Sequence, residues 1–153
     1  MAAPLPQAFL LTLGNTMITI CTKWEHLQMA PELEWSMWRQ LKGAFNIDKF
    51  IFSPVIENMK SCPISQYDTM EEALSSCVGR LVFLEPWAKR SLSEVPQIDE
   101  EPDICFVLSN TSQSNQKFVD NNDYRIRTPK NTDLYGINAA AIALSHYHRV
   151  FEE

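Results

Sequence analysis

Two nearly continuous apolar runs, Leu81-Val82-Phe83-Leu84 and Ile104-Cys105-Phe106-Val107-Leu108, constrain this chain more than any other feature. A strand with one wet face alternates polar and apolar side chains, and these runs do not alternate, so both faces must be covered. Sheets covered on both faces are mostly parallel, and parallel neighbours need helical crossovers. The sequence supplies such crossovers. Pro31 suits a first helical position, with Glu32 and Glu34 in the first turn. Met37, Trp38, Leu41 and Phe45 then fall on one helical face, and Asn46 is a stop. Lys49-Phe50-Ile51-Phe52 follows as a buried strand, ended by Ser53-Pro54.

The same alternation continues. Asp68 with Glu71 reads as a capping box, Met70, Ala73, Leu74 and Cys77 share a helical face, and Gly79 suits the residue just past the helix. The strand 81–84 ends at Glu85-Pro86. The strand 104–108 runs into a polar stretch, with a short helix expected around 114–120. Tyr124-Arg125-Ile126-Arg127 is a short strand ended by Thr128-Pro129, and an alanine-rich helix runs from about Leu134 to Val150. At the front, Phe9 to Leu13 and Met17 to Ile20 make a first strand broken at Gly14-Asn15, while 22–30 fits neither period. The expected fold class is α/β, a parallel sheet covered by helices on both faces. Its 153 residues fit one domain, 1–153. Ligands of such sheets bind beyond the carboxyl ends of the strands, here residues 84–90, 108–113 and 127–138.

Composition narrows the function. No run approaches the roughly 18 apolar residues that span a bilayer, and no basic region precedes the short N-terminal apolar run as in a secretory signal. Cys21, Cys62, Cys77 and Cys105 lack the C-x-x-C spacing of zinc sites; Cys77 and Cys105 read as small core residues, and a reduced, cytoplasmic setting is the simplest expectation. The net charge of −6 argues against a generic nucleic-acid binder. Five acids, Glu94, Asp99, Glu100, Glu101 and Asp103, crowd one expected solvated loop; without them −1 remains, and Lys117, Arg125, Arg127 and Lys130 gather in a later segment. A local basic patch is therefore compatible with the total. His146 and His148, two apart near a helix end, do not share a face and read as helix-end cations rather than a metal pair. Trp24, Trp35 and Trp38 read as core or dimer contacts, and Trp87 as a possible ligand contact past a strand end.

The segment from Tyr124 to Tyr147 is the most informative: a strand enters a Pro-terminated loop, and the loop enters a helix with Gly136, Ala139 and Ala140 at its start. Small residues there allow close approach of a backbone or a flat ligand, and the helix N-terminus offers N–H groups to an anion. Tight packing of the helix on the sheet would also use these residues.

Several motifs in order resemble the SPOUT methyltransferases, specifically their SpoU/TrmH branch. Arg125-Ile126-Arg127-Thr128-Pro129 and Leu134-Tyr135-Gly136-Ile137-Asn138-Ala139-Ala140 stand where that branch has Ile-Arg-Ile-Pro and Asn-x-Ser-x-Ala. Val107-Leu108-Ser109-Asn110-Thr111 stands where it has an apolar strand followed by Gly-Asn-Glu or Gly-Pro-Glu. The stretch from Trp38 to Asp48, then Phe50-Ile51-Phe52-Ser53-Pro54, resembles Ile-Arg-x-x-x-x-Phe-Gly-Ile-Asp and Leu-Val-x-Pro. The resemblance covers most of residues 35–150. It implies a C-terminal trefoil knot, S-adenosylmethionine bound in it, and a homodimer packed through it. It also implies an RNA substrate, with tRNA ribose 2′-hydroxyls the expected acceptors. Cofactor contacts would come from Leu84, Glu85, Pro86, Leu108, Ser109, Asn110, Ile126, Thr128, Leu134, Gly136, Asn138 and Ala139, largely through backbone groups. Arg39 is the nearest match to the branch's catalytic arginine. Ser109 and Thr111 replace the glycine and glutamate of the middle motif. Two other readings fit the residues: a SPOUT-like dimeric binding module without catalysis, and an unrelated nucleotide-binding α/β domain, which would want a Gly-rich phosphate loop that the chain lacks.

Overall fold

The structure, a computed structural model, describes residues 16–25, 28–110, 115–126, 128–130 and 132–150. The expected strand over 9–13 and its break at Gly14-Asn15 lie outside the described residues. The strands are β1 (Met17–Lys23), β2 (Lys49–Ser53), β3 (Ser65–Gln66), β4 (Arg80–Leu84), β5 (Arg90–Ser91), β6 (Asp103–Leu108) and β7 (Asp123–Arg125). They form one seven-stranded sheet in the order β3-β2-β1-β6-β4-β7-β5. Every pairing is parallel, including β1 with β6 in the register Thr22↔Leu108 and β4 with β7 in the register Leu84↔Tyr124. All seven carboxyl ends therefore lie along one edge. The α-helices among the described residues are α1 (Pro31–Phe45), α2 (Met70–Ser75) and α3 (Gly136–Tyr147).

Alternation along β6 divides the core. Ile104, Phe106 and Leu108 point to the face carrying α1 and α3, where they meet Trp35, Trp38, Ala140, Ala143, Leu144 and Tyr147. Cys105 and Val107 point to the other face, where Met70 and Ala73 of α2 cover them. Coverage on both faces explains the uninterrupted apolar runs. On the α1 side, Trp24 packs on Phe52 with ring centroids 4.2 Å apart, and Trp38 meets both Phe50 and Phe52 edge-on.

Several local expectations shift. α1 ends at Asn46 in the left-handed region, as expected, but the helix is rotated about its axis. Glu34, Trp35 and Trp38 are its buried residues, while Met37 is exposed and Leu41 and Phe45 are only partly covered. The cause is polar: the Glu34 carboxylate turns inward to accept hydrogen bonds from the Glu25 N–H (2.7 Å) and the Trp38 Nε1–H (3.0 Å). The cap of α2 is Thr69, not Asp68; its Oγ1 accepts from the Glu72 N–H at 3.1 Å. Gly79 lies beyond the helix end at Ser76 and answers a different need. Its φ is +91°, and a Cβ there would fall 2.6 Å from the Asp103 carbonyl. Cys105 is buried as expected, but Cys77 is only half-buried, with its Sγ 3.4 Å from the Cys105 Sγ. The ambiguous stretch after Ile20 completes β1 as far as Lys23.

The acidic stretch is not simply a solvated loop. It follows β5 and a 3-10 turn over Leu92–Glu94, contains the buried residues Val95 and Gln97, and clasps the end of α3. Ile98 N–H donates to the Tyr147 carbonyl (3.0 Å), Gln97 Nε2 to the His146 carbonyl (2.9 Å), and the Tyr147 hydroxyl to the Glu101 carbonyl (2.6 Å). Arg149 pairs with Asp99 at 2.9 Å. His146 and His148 lie at the end of α3, as expected, and each anchors a backbone: their Nε2 atoms bond the Val95 and Phe45 carbonyls at 3.0 and 2.8 Å.

Candidate functional site: a cleft between two strand ends and a helix start

β4 and β7 are neighbours, so their carboxyl ends open side by side. The backbone continues this pairing by one residue, because the Glu85 N–H donates to the Tyr124 carbonyl at 3.0 Å. Past that point the chains diverge, and the start of α3 closes the third side. The resulting open cleft, about 450 Å³, is lined by Leu84, Glu85 and Pro86, by Arg125 and Ile126, by Thr132, Asp133 and Leu134, and by Ala139.

Each wall has a local cause. Pro86 ends β4 because it cannot extend the ladder. The loop after β7 is closed on itself by Thr128, whose Oγ1 accepts from the Thr132 N–H at 2.8 Å. That turn sets the direction of Thr132, Asp133 and Leu134. Gly136 brings the helix start onto the end of β6: an added Cβ would sit 3.5 Å from the Leu108 Cβ and 3.6 Å from the Ser109 carbonyl oxygen, ordinary contact distances. Glycine there is compatible with close packing without being demanded by it. The helix cap, Tyr135, makes no side-chain capping bond.

The electrostatics concentrate on Glu85. It is 2% exposed although it lines the cleft. Its Oε1 accepts from the Asn115 N–H at 3.0 Å, while its buried Oε2 has no hydrogen-bond partner among the described residues. Burial raises the Glu85 carboxyl above its ordinary range; the Asn115 hydrogen bond, the Lys23 ammonium and the Trp87 indole oppose that rise, and Asp123 adds to it. Lys23, at the end of β1, is buried as well, and burial lowers its pKa.

Of the residues expected from sequence, Leu84, Glu85, Pro86, Ile126, Leu134 and Ala139 line the cleft together. Leu108, Ser109 and Gly136 form the packed seam beside it. Thr128 shapes the loop from behind. Asn110 sends its Nδ2 to the Trp24 carbonyl at 3.0 Å, tying the end of β6 to the end of β1. Asn138 is exposed on the first turn of α3 and is not in the lining. Arg39 is exposed on α1, and the cleft takes no lining from that helix. Thr111, Arg127 and Asn131 lie outside the described residues. Thr132 and Asp133 lie within the expected loop 127–138 without having been singled out, and Arg125, outside the expected loops, was missed as a lining residue. Arg125 follows the buried Tyr124 in a strand, so alternation alone puts it on the opposite face.

No family model matches the chain, and no curated protein matches it by sequence. Solved structures do match. A protein of Bacillus anthracis assigned as an RNA methyltransferase superposes with a TM-score of 0.65 and 16% identity, over 86% of this chain and 92% of that one. A structure described for the 2-OH methylation of C/U34 on tRNA superposes with a TM-score of 0.71 and 12% identity, over 98% of this chain and 100% of that one. The SpoU methyltransferase AviRb from Streptomyces viridochromogenes gives a TM-score of 0.63 and 12% identity, over 87% of this chain and 59% of that one. The chain has the α/β fold of these methyltransferases.

Proposed function

We propose that this chain is a SpoU-type RNA methyltransferase that holds S-adenosylmethionine in the cleft and methylates a ribose 2′-hydroxyl of tRNA. The observation that carries the reading is a coincidence of place. The cleft lies at the carboxyl edge of a sheet shared with RNA methyltransferases, on the three loops that the sequence motifs single out.

The residues fit the cofactor. Leu84, Ile126 and Leu134 offer apolar wall to an adenine ring. The uncapped first turn of α3 offers N–H groups to a carboxylate. Bound S-adenosylmethionine would supply an electrophilic methyl group. The protein's part is then orientation and proton handling, because a sugar hydroxyl is a poor nucleophile at neutral pH. Arg39 is proposed to act on that hydroxyl from the outer side of α1, and the segment carrying Lys117, Arg125 and Lys130 to meet phosphates.

Two structural proposals accompany this. β7 enters the sheet between β4 and β5, and the segment from 95 to 101 wraps the end of α3. Both support a knotted C-terminal third. The exposed apolar residues Leu33 and Met37 on α1 with Tyr135 and Ile142 on and beside α3 support a homodimer packed on that face.

The test is methyl transfer from S-adenosylmethionine to bulk tRNA, with 2′-O-methylnucleosides as the readout. Arg39→Ala is expected to cut transfer by about 100-fold or more while leaving cofactor affinity unchanged; unchanged transfer removes Arg39 from the mechanism. One observation favours a second reading, a binding module without catalysis: Ser109 replaces the glycine of the middle motif and the Asn110 side chain is engaged with Trp24. Cofactor binding without transfer to any tRNA would select that reading.

A further inference from the structure

Three of the four cysteines meet on the face of the sheet that α2 covers, apart from the cleft lining. Cys21 on β1 and Cys105 on β6 are both fully buried. The register sets Cys21 opposite Val107 and Thr19 opposite Cys105, so the two cysteines are diagonal neighbours on adjacent strands. Alternation sends both side chains to the α2 side. Cys77, in the short turn between α2 and β4, packs against the same cluster, and the Cys105 thiol donates to its Sγ at 3.4 Å. Cys77 is only half-buried, so it alone of the three meets solvent. The hydrogen bonds from the Cys105 and Cys21 thiols, with the Lys49 ammonium nearby, hold the Cys77 thiol well below its ordinary range against the effect of burial. Those bonds and burial push the Cys105 thiol well above it. A half-exposed thiolate backed by a buried thiol in contact is the arrangement of an attacking and a resolving cysteine.

We propose that Cys77 is a peroxide-reactive thiol and that Cys105 resolves it, closing a disulfide between the α2–β4 turn and the central strand β6. The proposal does not depend on the methyltransferase reading. The oxidant is hydrogen peroxide. The Cys77 thiolate attacks one peroxide oxygen, the O–O bond breaks, and the sulfur is oxidised to a sulfenic acid. The hydroxide that leaves takes up the proton Cys77 had given to solvent and becomes water. The Cys105 sulfur then attacks the Cys77 sulfur, the S–O bond breaks and the S–S bond forms. The departing hydroxide takes the Cys105 proton as a second water. Two thiols and one peroxide have become one disulfide and two waters.

The geometry favours this pair. The sulfurs must close from 3.4 Å to about 2 Å. Cys105 is fixed in the middle of the sheet, so the approach falls to Cys77, which a turn carries rather than a strand. Cys21 shares the cluster and is the competing partner, but it too is fixed in a strand and fully buried. Cys62 packs against the core on the opposite face of the sheet and serves as an internal control.

The test treats the reduced full chain with a small excess of hydrogen peroxide at neutral pH. Free thiols are then blocked, and the chain is digested without reduction for peptide mass mapping. The expected product links the peptide holding Cys77 to the one holding Cys105, with Cys62 recovered as a blocked thiol. Cys77→Ser is expected to slow peroxide consumption by the chain about tenfold or more and to leave Cys105 reduced. The wild-type map needs no variant, so a poorly folding Cys77→Ser leaves the test intact. A Cys77–Cys21 link overturns the assignment of Cys105 as the resolving thiol. Oxidation of Cys77 no faster than of Cys62, or peroxide consumption unchanged in Cys77→Ser, overturns the reactive site itself.

Discussion

Two buried carboxylates carry most of what is particular about this chain at the scale of single residues. Glu34 is satisfied: it bridges the Glu25 N–H and the Trp38 indole and fixes the rotation of α1. Glu85 is only half satisfied: its Oε1 accepts from the Asn115 N–H, and its buried Oε2 has no hydrogen-bond partner among the described residues. Burial raises the pKa of Glu34 as well, against the hydrogen bonds from Trp38 and Glu25. A raised carboxyl binds its proton more tightly in the folded state, so folding is favoured below the ordinary glutamate range and loses that advantage as pH rises through the raised one. Glu34→Gln removes this titration. Its thermal midpoint relative to wild type is therefore expected to improve between about pH 4 and about pH 8; a difference that is constant across pH would contradict the assignment. The sequence placed Glu85 on an expected ligand loop but did not disclose the burial of either carboxylate. Glu34 looked like a first-turn helix acid, and nothing local says that its side chain turns inward.

The strands that carry the site were legible because burial on both faces leaves a signature that needs no partner to read. β4 and β6 were visible from apolar continuity, and α1 from Pro31 and Asn46. β3 and β5, two residues each, leave no period at all. The face of α1 was misjudged because apolar spacing favoured Met37, and the polar bond of Glu34 outweighed it. The acidic clasp on α3 was taken for solvated loop because its anchoring bonds run through backbone carbonyls, which side-chain chemistry does not reveal. Tyr147→Phe removes the hydroxyl bond to Glu101 and is expected to cost about 1 kcal/mol, with faster amide exchange over residues 95–101. Exchange unchanged in that segment would mean that the clasp is held elsewhere. Gly79 is the tightest point of the crossover into β4. Gly79→Ala is expected to destabilise by about 2 kcal/mol or more in chemical denaturation, since both its φ and the nearby Asp103 backbone exclude a Cβ. A loss below about 0.5 kcal/mol would show that the backbone there relaxes freely.

At the scale of the whole molecule, the parallel order brings together loops far apart in sequence. Leu84, Ile126 and Leu134 meet only because β7 inserts beside β4 and α3 returns across the same edge. The sequence motifs identified these loops individually. Their convergence, and the part taken by Arg125, Thr132 and Asp133, depends on strand order, which no local pattern encodes. Arg39 is exposed on α1, apart from the cleft lining. Among the described residues no helix is long and apolar enough to cross a membrane.

The proposed cofactor site is the cleft between β4, β7 and α3. The most direct measurement follows backbone amide resonances of the labelled protein during titration with S-adenosylmethionine. Saturable shifts are expected, concentrated in residues 84–88, 125–126 and 132–140, with the α2 face around Met70 and Ala73 undisturbed. An unchanged spectrum, or shifts centred on the α2 face, would contradict it.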